Sequence, residues 1–280
     1  MATSLNDLAG LLKVKGDYAG AEPLHVRALA VRERVLGPGH ADVAQSLNNL
    51  AELLLVKGDY AAAEPLFRRA LATYQKTLGD DHPSVATTLN NLARLLEAKG
   101  DDAGAELLHR RALAIWERSL GSGHPNVATS LNNLALLLAA KGDYAAAEPL
   151  YRRALALAEK TLGPDHPSVA MTLNNLAELL GGKGDYAGAE PLHRCALAIR
   201  EKALGAEHPG TARSLNNLAG LLAARGDYAG AEPLYRRALA ICEKKLGNDH
   251  PLTRTVRQNL QGLHTQKVLG EKRAGTREQR

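Results

Sequence analysis

Residues 46–51 read Ser-Leu-Asn-Asn-Leu-Ala, residues 57–60 read Lys-Gly-Asp-Tyr, and residues 63–66 read Ala-Glu-Pro-Leu. Close copies of this stretch recur along the chain. The Gly-Asp pair inside it returns every 42 residues without insertion, at Gly16, Gly58, Gly100, Gly142, Gly184 and Gly226. A period of this size predicts a stacked array of structural units rather than separate globular domains. Constant positions therefore build the frame, and positions that vary between copies are candidates for a specific function.

Each copy is predicted to be a pair of helices. In the third copy, Pro83 suits the first turn of a helix (helix A), and apolar residues follow at helical spacing up to Lys99. Gly100 then suits a left-handed helix end, and Asp101 can cap the next helix (helix B), which ends at Gly121. Because one pair cannot bury its own apolar stripe, neighbouring pairs are expected to stack.

The period divides residues 1–266 into six helix pairs and one final helix. The copies span about residues 1–37, 38–79, 80–121, 122–163, 164–205 and 206–247, and the final helix covers 251–266. In that helix Leu260 and Leu263 keep one apolar side, whereas Arg257, Gln261 and His264 replace apolar frame residues on the other, as expected of a cap. The first copy lacks the His-Pro residues that precede helix A in later copies, and this end of the array is expected to be truncated rather than capped. Residues 267–280 are expected to form a basic, disordered tail.

Composition narrows the class of protein. Apolar residues make up 45% of the chain and aromatic residues only 4%, which predicts a core of leucine and alanine. The tail carries +3 of the net charge of +5, so the basic balance is weak support for a nucleic-acid surface. Cys195 and Cys242 lie at non-equivalent positions, which excludes a disulfide framework and predicts a reducing, cytoplasmic location. No apolar run reaches membrane-spanning length, and the first residues do not resemble a signal peptide.

The repeated residues resemble the tetratricopeptide repeat (TPR). Its frame of 34 residues is matched in order by Leu47, Leu50, Ala51, Gly58, Tyr60, Ala63, Phe67 and Ala70. The longer period, with its Leu-Gly-x-x-His-Pro loop, is similar to the 42-residue variety found in kinesin light chains and many bacterial repeat proteins. The resemblance implies an all-α TPR solenoid, a right-handed superhelix of six helix pairs plus a C-terminal capping helix. It also implies that helices A line a concave, peptide-binding face. The heptad region by which light chains join the motor is absent from this sequence.

Paired asparagines in helix A are candidates for the peptide groove. They recur in five copies, at Asn48 and Asn49, Asn90 and Asn91, Asn132 and Asn133, Asn174 and Asn175, and Asn216 and Asn217. Asparagine is less favourable than alanine inside a helix by roughly 0.5 kcal/mol, so its repetition indicates a compensating role. The amides can grip an extended peptide backbone, or they can hydrogen-bond neighbouring copies. For the set we favour the groove.

One position of helix A varies between copies. It reads Gly10, Glu52, Arg94, Leu136, Glu178 and Gly220, and we call it the variable row. On a helical wheel it lies at the centre of the arc opposite the constant leucines. We predict that the variable row, with Glu52, Arg94, Leu136 and Glu178 as groove residues, determines which peptide binds. Drift on a solvated face is the alternative.

Other suggestive residues have simpler explanations. The histidines that precede proline are predicted to cap helices or pack loops, and His25, His109 and His193 occupy an aromatic frame position, which predicts packing. The arginine pairs begin four residues after a glutamate, as in Glu64 and Arg68, which favours ion pairs on a solvated face over a nucleic-acid ladder. We therefore predict no catalytic residue, no metal and no cofactor.

The sequence thus predicts a non-catalytic scaffold that binds a protein or peptide ligand, with no nucleic-acid or membrane partner and with the oligomeric state left open. One rival function is the sensor segment of a larger signalling NTPase, suggested by the abrupt first helix. The other is binding of single-stranded nucleic acid by a helical-repeat array, which predicts salt-sensitive RNA binding.

Overall fold

The structure, a computed structural model, describes the backbone of residues 1–278 and the side chains of residues 1–267. This part of the chain contains thirteen helices and no strand. The helices are α1 (Ala2–Val14), α2 (Tyr18–Leu36), α3 (Ala41–Lys57), α4 (Tyr60–Leu78), α5 (Pro83–Ala98), α6 (Asp102–Leu120), α7 (Pro125–Ala140), α8 (Tyr144–Leu162), α9 (Pro167–Gly182), α10 (Tyr186–Leu204), α11 (Pro209–Ala224), α12 (Tyr228–Leu246) and α13 (Pro251–Glu278). Odd-numbered helices up to α11 are helices A, and even-numbered helices are helices B. The predicted six pairs followed by a single helix are confirmed.

The repeated sequence determines where each helix begins and ends. His82 caps α5, because its Nδ1 accepts a hydrogen bond from the backbone N–H of Ser84 at 3.1 Å. The equivalent histidine makes the same bond at the start of α3, α7, α9, α11 and α13. Asp101 caps α6 by accepting from the N–H of Gly104 at 2.9 Å. Gly100 turns the chain between α5 and α6 with φ +82°, a region that favours glycine. The predicted capping role of these histidines is confirmed.

The histidine cap of α9 can be tested by substitution. His166 Nδ1 accepts from the N–H of Ser168 at 3.1 Å, and alanine would leave that N–H without a side-chain partner. Loss of a helix cap typically costs about 1 kcal/mol. We expect His166→Ala to lower the free energy of unfolding by about this amount, and His166→Asn, which keeps an acceptor, to lower it less. Urea denaturation followed by circular dichroism measures both. Equal losses in the two variants would show that the ring acts by packing instead.

The chain divides into two compact units, Met1–Asp143 and Tyr144–Arg280. In the first unit, helix pairs stack through leucines and alanines: Leu53 of α3 packs against Ala9 of α1 and Ala21 of α2. Phe67 of α4 is fully buried in the next cluster along this unit. Leu11 of α1, which is equivalent to Leu53, is 62% exposed. The expected leucine and alanine core is therefore present, with alanine where helices approach closely.

In the second unit α13 covers the end of the last pair. Val256 and Leu263 are buried in one cluster with residues of α11 and α12, and Leu260 packs against that cluster. On its other side, the side chain of His264 is 46% exposed and Gln261 is exposed. This arrangement of one apolar and one polar side confirms the predicted capping helix.

The end of α13 differs from the expectation. The backbone is helical to Glu278, whereas the helix was expected to end near Gln266 and residues 267–280 to be disordered. Most residues of this segment are good helix formers and none is proline, so the helix continues through Gly270 and Gly275. The side chains of residues 268–280 and the last two residues lie outside the described part of the chain.

Two glycines end α9 where other helices A carry larger residues. A Cβ atom at Gly182 would lie 3.5 Å from Tyr144 Oη, an ordinary contact, whereas one at Gly181 would lie 3.1 Å from Leu221 Cδ1. We expect Gly182→Ala to raise the free energy of unfolding by roughly 0.5–1 kcal/mol through helix propensity. Gly181→Ala should gain less, because Leu221 must move. Amide exchange at the end of α9 measures the effect, and equal protection in both variants would contradict this ranking.

Candidate functional site

The two asparagines of a pair differ in burial in three of the five pairs. The first member is buried in four pairs, with exposed fractions of 9% at Asn48, 8% at Asn90, 4% at Asn132 and 4% at Asn174. The others are half-buried at Asn49, Asn133, Asn175, Asn216 and Asn217, and buried at Asn91. In those three pairs a ligand can reach more of the second asparagine than of the first.

Hydrogen bonds between asparagines connect neighbouring helices A. In each case Nδ2 of the second asparagine donates to Oδ1 of the first asparagine in the preceding helix A. The bonds are Asn91 to Asn48 at 3.3 Å, Asn133 to Asn90 at 3.2 Å and, from α13, Asn259 to Asn216 at 2.9 Å. These contacts are the inter-copy bonds that the sequence left as an alternative. The ligand-binding role of the asparagines stays a prediction.

A buried chain of three side chains joins the fifth and sixth pairs. His193 Nδ1 lies 2.8 Å from Asn174 Oδ1, and Asn174 Nδ2 donates to Ser214 Oγ at 3.1 Å. Because Asn174 uses its amino group on the serine, its oxygen accepts, and His193 Nδ1 carries the proton. Burial lowers the pKa of His193 to about 4, so the ring is neutral near pH 7. This chain fixes one pair on the next.

The first unit repeats this arrangement between its first two pairs. His25 Nδ1 lies 2.8 Å from Asn6 Oδ1, and Asn6 Nδ2 donates to Ser46 Oγ at 3.0 Å. In the third pair the equivalent histidine, His109, contacts Glu97 Oε1 at 2.6 Å through Nε2. The predicted packing of His25, His109 and His193 is confirmed, since all three are buried.

The variable row lies at the surface. Arg94, Leu136 and Glu178 are exposed, and Glu52 is half-buried. Glu52 pairs with Lys13 at 3.0 Å. Arg94 has no hydrogen bond or ion pair within the described part of the chain. The side chains that vary most between copies are thus accessible.

Each unit has a hollow beside this row. In the first unit it measures about 450 Å³, and we call it the Arg94 hollow; it is lined by Leu55, Val56, Tyr60, Arg94, Glu97 and Ala98. In the second unit it measures about 320 Å³, and we call it the Glu178 hollow; its lining includes Glu178, Tyr186, His193, Asn216, Asn217 and Gly220. The Arg94 hollow carries one arginine and one glutamate, and the Glu178 hollow carries one glutamate and no lysine or arginine, so the two differ in charge.

Sequence reasoning did not predict several residues of the Glu178 hollow, among them Tyr186 and Asn259. Tyr186 is the first residue of α10 and belongs to the frame, so nothing in its pattern marked it as a surface residue. Asn259 lies in α13, where it continues the asparagine series past the last pair. Its position in that series was the available signal.

The arginine pairs are engaged in ion pairs on helices B. Glu64 accepts hydrogen bonds from Lys99 at 2.6 Å and from Arg68 at 2.8 Å. Both bonds lower the pKa of the Glu64 carboxyl, and the bond from Lys99 has the larger effect. The second arginine pairs with a neighbouring helix, as Arg69 does with Glu33 at 2.7 Å. These contacts confirm the predicted ion pairs at the spacing of four residues. They leave less free positive charge for a nucleic-acid ladder.

The described residues hold neither a metal-binding cluster nor a membrane-spanning helix. No three or more of their His, Cys, Asp or Glu side chains come together in a way that could hold a metal ion. No helix in that part of the chain combines the length and apolarity needed to cross a membrane.

The fold and its surface define the class: this is an all-α helical-repeat solenoid. The family model described as "Tetratricopeptide repeat" matches residues 1–76, 42–118, 103–160, 127–202, 168–244 and 211–266. The chain therefore belongs to the tetratricopeptide repeat family. Proteins of this family generally act as non-catalytic scaffolds that bind protein partners. A search of curated proteins found no match.

Solved structures of similar proteins agree with this assignment. BtubC (BKLC) from P. vanneervenii is 28% identical, covering 81% of this chain and 91% of that one, with a TM-score of 0.69. The kinesin-light-chain TPR-like repeats from Podosopora anserina are 30% identical, covering 74% of this chain and 98% of that one, with a TM-score of 0.63. A STAND ATPase with a TPR sensor from Pyrococcus horikoshii covers 95% of this chain and 39% of its own at 14% identity, with a TM-score of 0.71, which shows the fold alone. The relatives at higher identity are of the kinesin-light-chain-like type.

Proposed function

We propose that this chain is a non-catalytic scaffold that binds extended peptide segments of partner proteins on the surface formed by its helices A. The observation that carries this proposal is the contrast between a near-constant buried frame and an exposed variable row beside hollows. A frame of this kind stabilises the stack, whereas accessible side chains that change from copy to copy can select a ligand. Extended peptides suit such a surface because side chains can enter successive hollows.

The asparagines contribute to this proposal unequally. The buried first members present little surface to a ligand, and a bond such as that from Asn133 to Asn90 occupies the oxygen of a first member and the amino group of a second. The half-buried second members, such as Asn49 and Asn175, present more surface to a ligand. We therefore assign the backbone contacts of the peptide chiefly to the second members, and its specificity to the variable row.

The free cysteines bear on the cellular compartment in which the proposed scaffold acts. Cys195 is exposed and Cys242 is buried, and both are free. Free thiols are typical of proteins kept in a reducing compartment. We therefore propose that the scaffold acts in the cytoplasm.

A peptide display experiment with the full chain as bait tests the function. We expect wild-type protein to enrich related peptides, and Arg94→Glu to change which peptides are enriched. The substitution should leave the melting temperature nearly unchanged, because an exposed, unpaired charge contributes little to folding. Arg27→Glu, an exposed arginine of α2 outside the hollows, is the matched control and should leave the selection as it is. Failure to enrich any peptide would contradict the proposal, and identical selections by wild type and Arg94→Glu would remove the role of Arg94.

A further inference from the structure

Glu178 differs from the glutamates of the repeated frame in its partner. The glutamates near the start of helices B each pair with lysine or arginine: Glu22, Glu64, Glu106, Glu148, Glu190 and Glu232. Glu52, at the equivalent position of α3, pairs with Lys13. Glu178 instead accepts a hydrogen bond from the neutral amide of Asn217 at 2.5 Å and has no ion pair in the described residues. A carboxylate at this surface is thus left without a counter-ion.

The surroundings of Glu178 make a missing counter-ion unfavourable. Its side chain reaches solvent, yet neighbouring atoms displace enough water to raise the pKa of its carboxyl. Arg213 of α11 acts in the opposite direction, through longer-range attraction and without an ion pair. A partly desolvated carboxylate gains more from a bound cation than one in open water. The site is therefore better satisfied when a cation is present.

Glycines open the space beside this carboxylate. The variable row has a glycine, Gly220, in α11, where α7 has Leu136. Gly181 of α9 also lines the hollow and likewise has no side chain to fill it. The resulting hollow of about 320 Å³ has room for one long side chain. A second hollow, lined in part by Gly220 and Gly262, adjoins it towards α13.

The remaining lining offers hydrogen bonds and no competing cation. Tyr186, Asn216 and Asn217 contribute polar side chains. His193 also lines the hollow, and burial keeps its ring neutral near pH 7 by lowering its pKa. The charge of the lining is therefore that of Glu178, which complements an amine or a guanidinium.

We propose that the Glu178 hollow binds the side chain of an arginine or lysine of the bound peptide, with Glu178 as its counter-ion. This inference rests on the proposed peptide-binding function and specifies the ligand chemistry at one place. The side chain enters between α9 and α11, and its cationic end meets the carboxylate and the neighbouring amides. The guanidinium or ammonium then supplies the positive charge that Lys13 supplies to Glu52 in the first unit.

Peptide display on the full chain with matched baits provides the first test. We expect wild-type protein to enrich peptides with a fixed arginine or lysine, and Glu178→Gln to lose that preference. Glu52→Gln is the matched control, because Lys13 already neutralises Glu52, and it should keep the preference. Gly220→Leu is a second variant that fills the hollow without changing charge; its Cβ would lie 3.4 Å from Tyr235 Oη, a tight contact, so a thermal melt checks that the variant folds. It should lose the cationic preference as well.

Titration of one enriched peptide and its citrulline analogue provides the second test. Citrulline keeps the shape of arginine and removes the charge. We expect the substitution to weaken binding to wild type about tenfold, as for a lost charge-assisted hydrogen bond, and to change binding to Glu178→Gln less than about twofold. Two results would overturn this inference while leaving peptide binding intact. One is that the enriched peptides share no arginine or lysine, and the other is that citrulline weakens binding to wild type and to Glu178→Gln by the same factor. If no peptide is enriched by any bait, the proposed function fails, and this inference with it.

Discussion

Asn174→Ala is expected to lower the free energy of unfolding by about 1.5–5.5 kcal/mol. The amide of Asn174 joins His193 to Ser214 inside the second unit, and all three side chains are buried. Alanine would leave two buried polar groups without this partner, at about 1–3 kcal/mol for each, against a gain of roughly 0.5 kcal/mol in helix propensity. Chemical denaturation followed by circular dichroism measures the loss, and amide exchange in α9 to α11 locates it.

The control for this prediction is Asn217→Ala. Asn217 is half-buried and bonds the exposed Glu178, so water can replace it and the loss should stay below about 1 kcal/mol. Peptide affinity should be titrated for both variants well below their melting temperatures. If Asn174→Ala were as stable as wild type but bound peptide more weakly, Asn174 would be a ligand contact rather than a link between pairs.

Lowering the pH is expected to destabilise the second unit through His193. Burial lowers the pKa of this histidine from 6.5 to about 4 in the folded chain. The unfolded chain therefore takes up a proton at higher pH than the folded chain does. The contribution of His193 to stability is complete above about pH 6.5 and is lost as the pH falls towards 4, for a total of about 3 kcal/mol. Urea denaturation at about pH 7 and about pH 4.5 measures most of this change.

His193→Phe separates this histidine from the other groups that titrate in the same range. Phenylalanine occupies the equivalent position at Phe67, where it is fully buried, so the site accepts the ring. The variant leaves Asn174 without its histidine partner at both pH values, so that loss cancels in the comparison. We expect its stability to fall less than that of wild type between the two pH values. Equal falls in the two proteins would show that His193 is not responsible. His25, whose pKa burial also lowers, remains in both.

The surface position of the variable row could be predicted from the sequence, but the environment of the asparagines could not. A helical wheel places Glu52 opposite the constant leucines, and Glu52, Arg94 and Glu178 do lie at the surface. The wheel also places Asn48 at the edge of the same arc. Whether an edge position is buried depends on how closely the next helix A approaches, and Asn91 of that helix covers and bonds Asn48. The spacing between helices is a tertiary quantity that the wheel does not contain.

The sequence by itself determined the helix pairs, their order and their ends. These depend on residues close together in the chain, such as the His82 cap, the left-handed Gly100 and the Asp101 cap. Comparison between copies also determined which positions are constant, because the period aligns them without a structure.

Only the tertiary structure decided which amides are already used and where a ligand can enter. The bond from Asn174 to Ser214 joins residues of different pairs, and the hollow beside Glu178 exists because Gly181 and Gly220 come together from two helices. The missing counter-ion of Glu178 is likewise visible only when its spatial neighbours are known. Contacts between copies depend on the distance and orientation of whole helices, and for that reason the local pattern of one copy could not specify them.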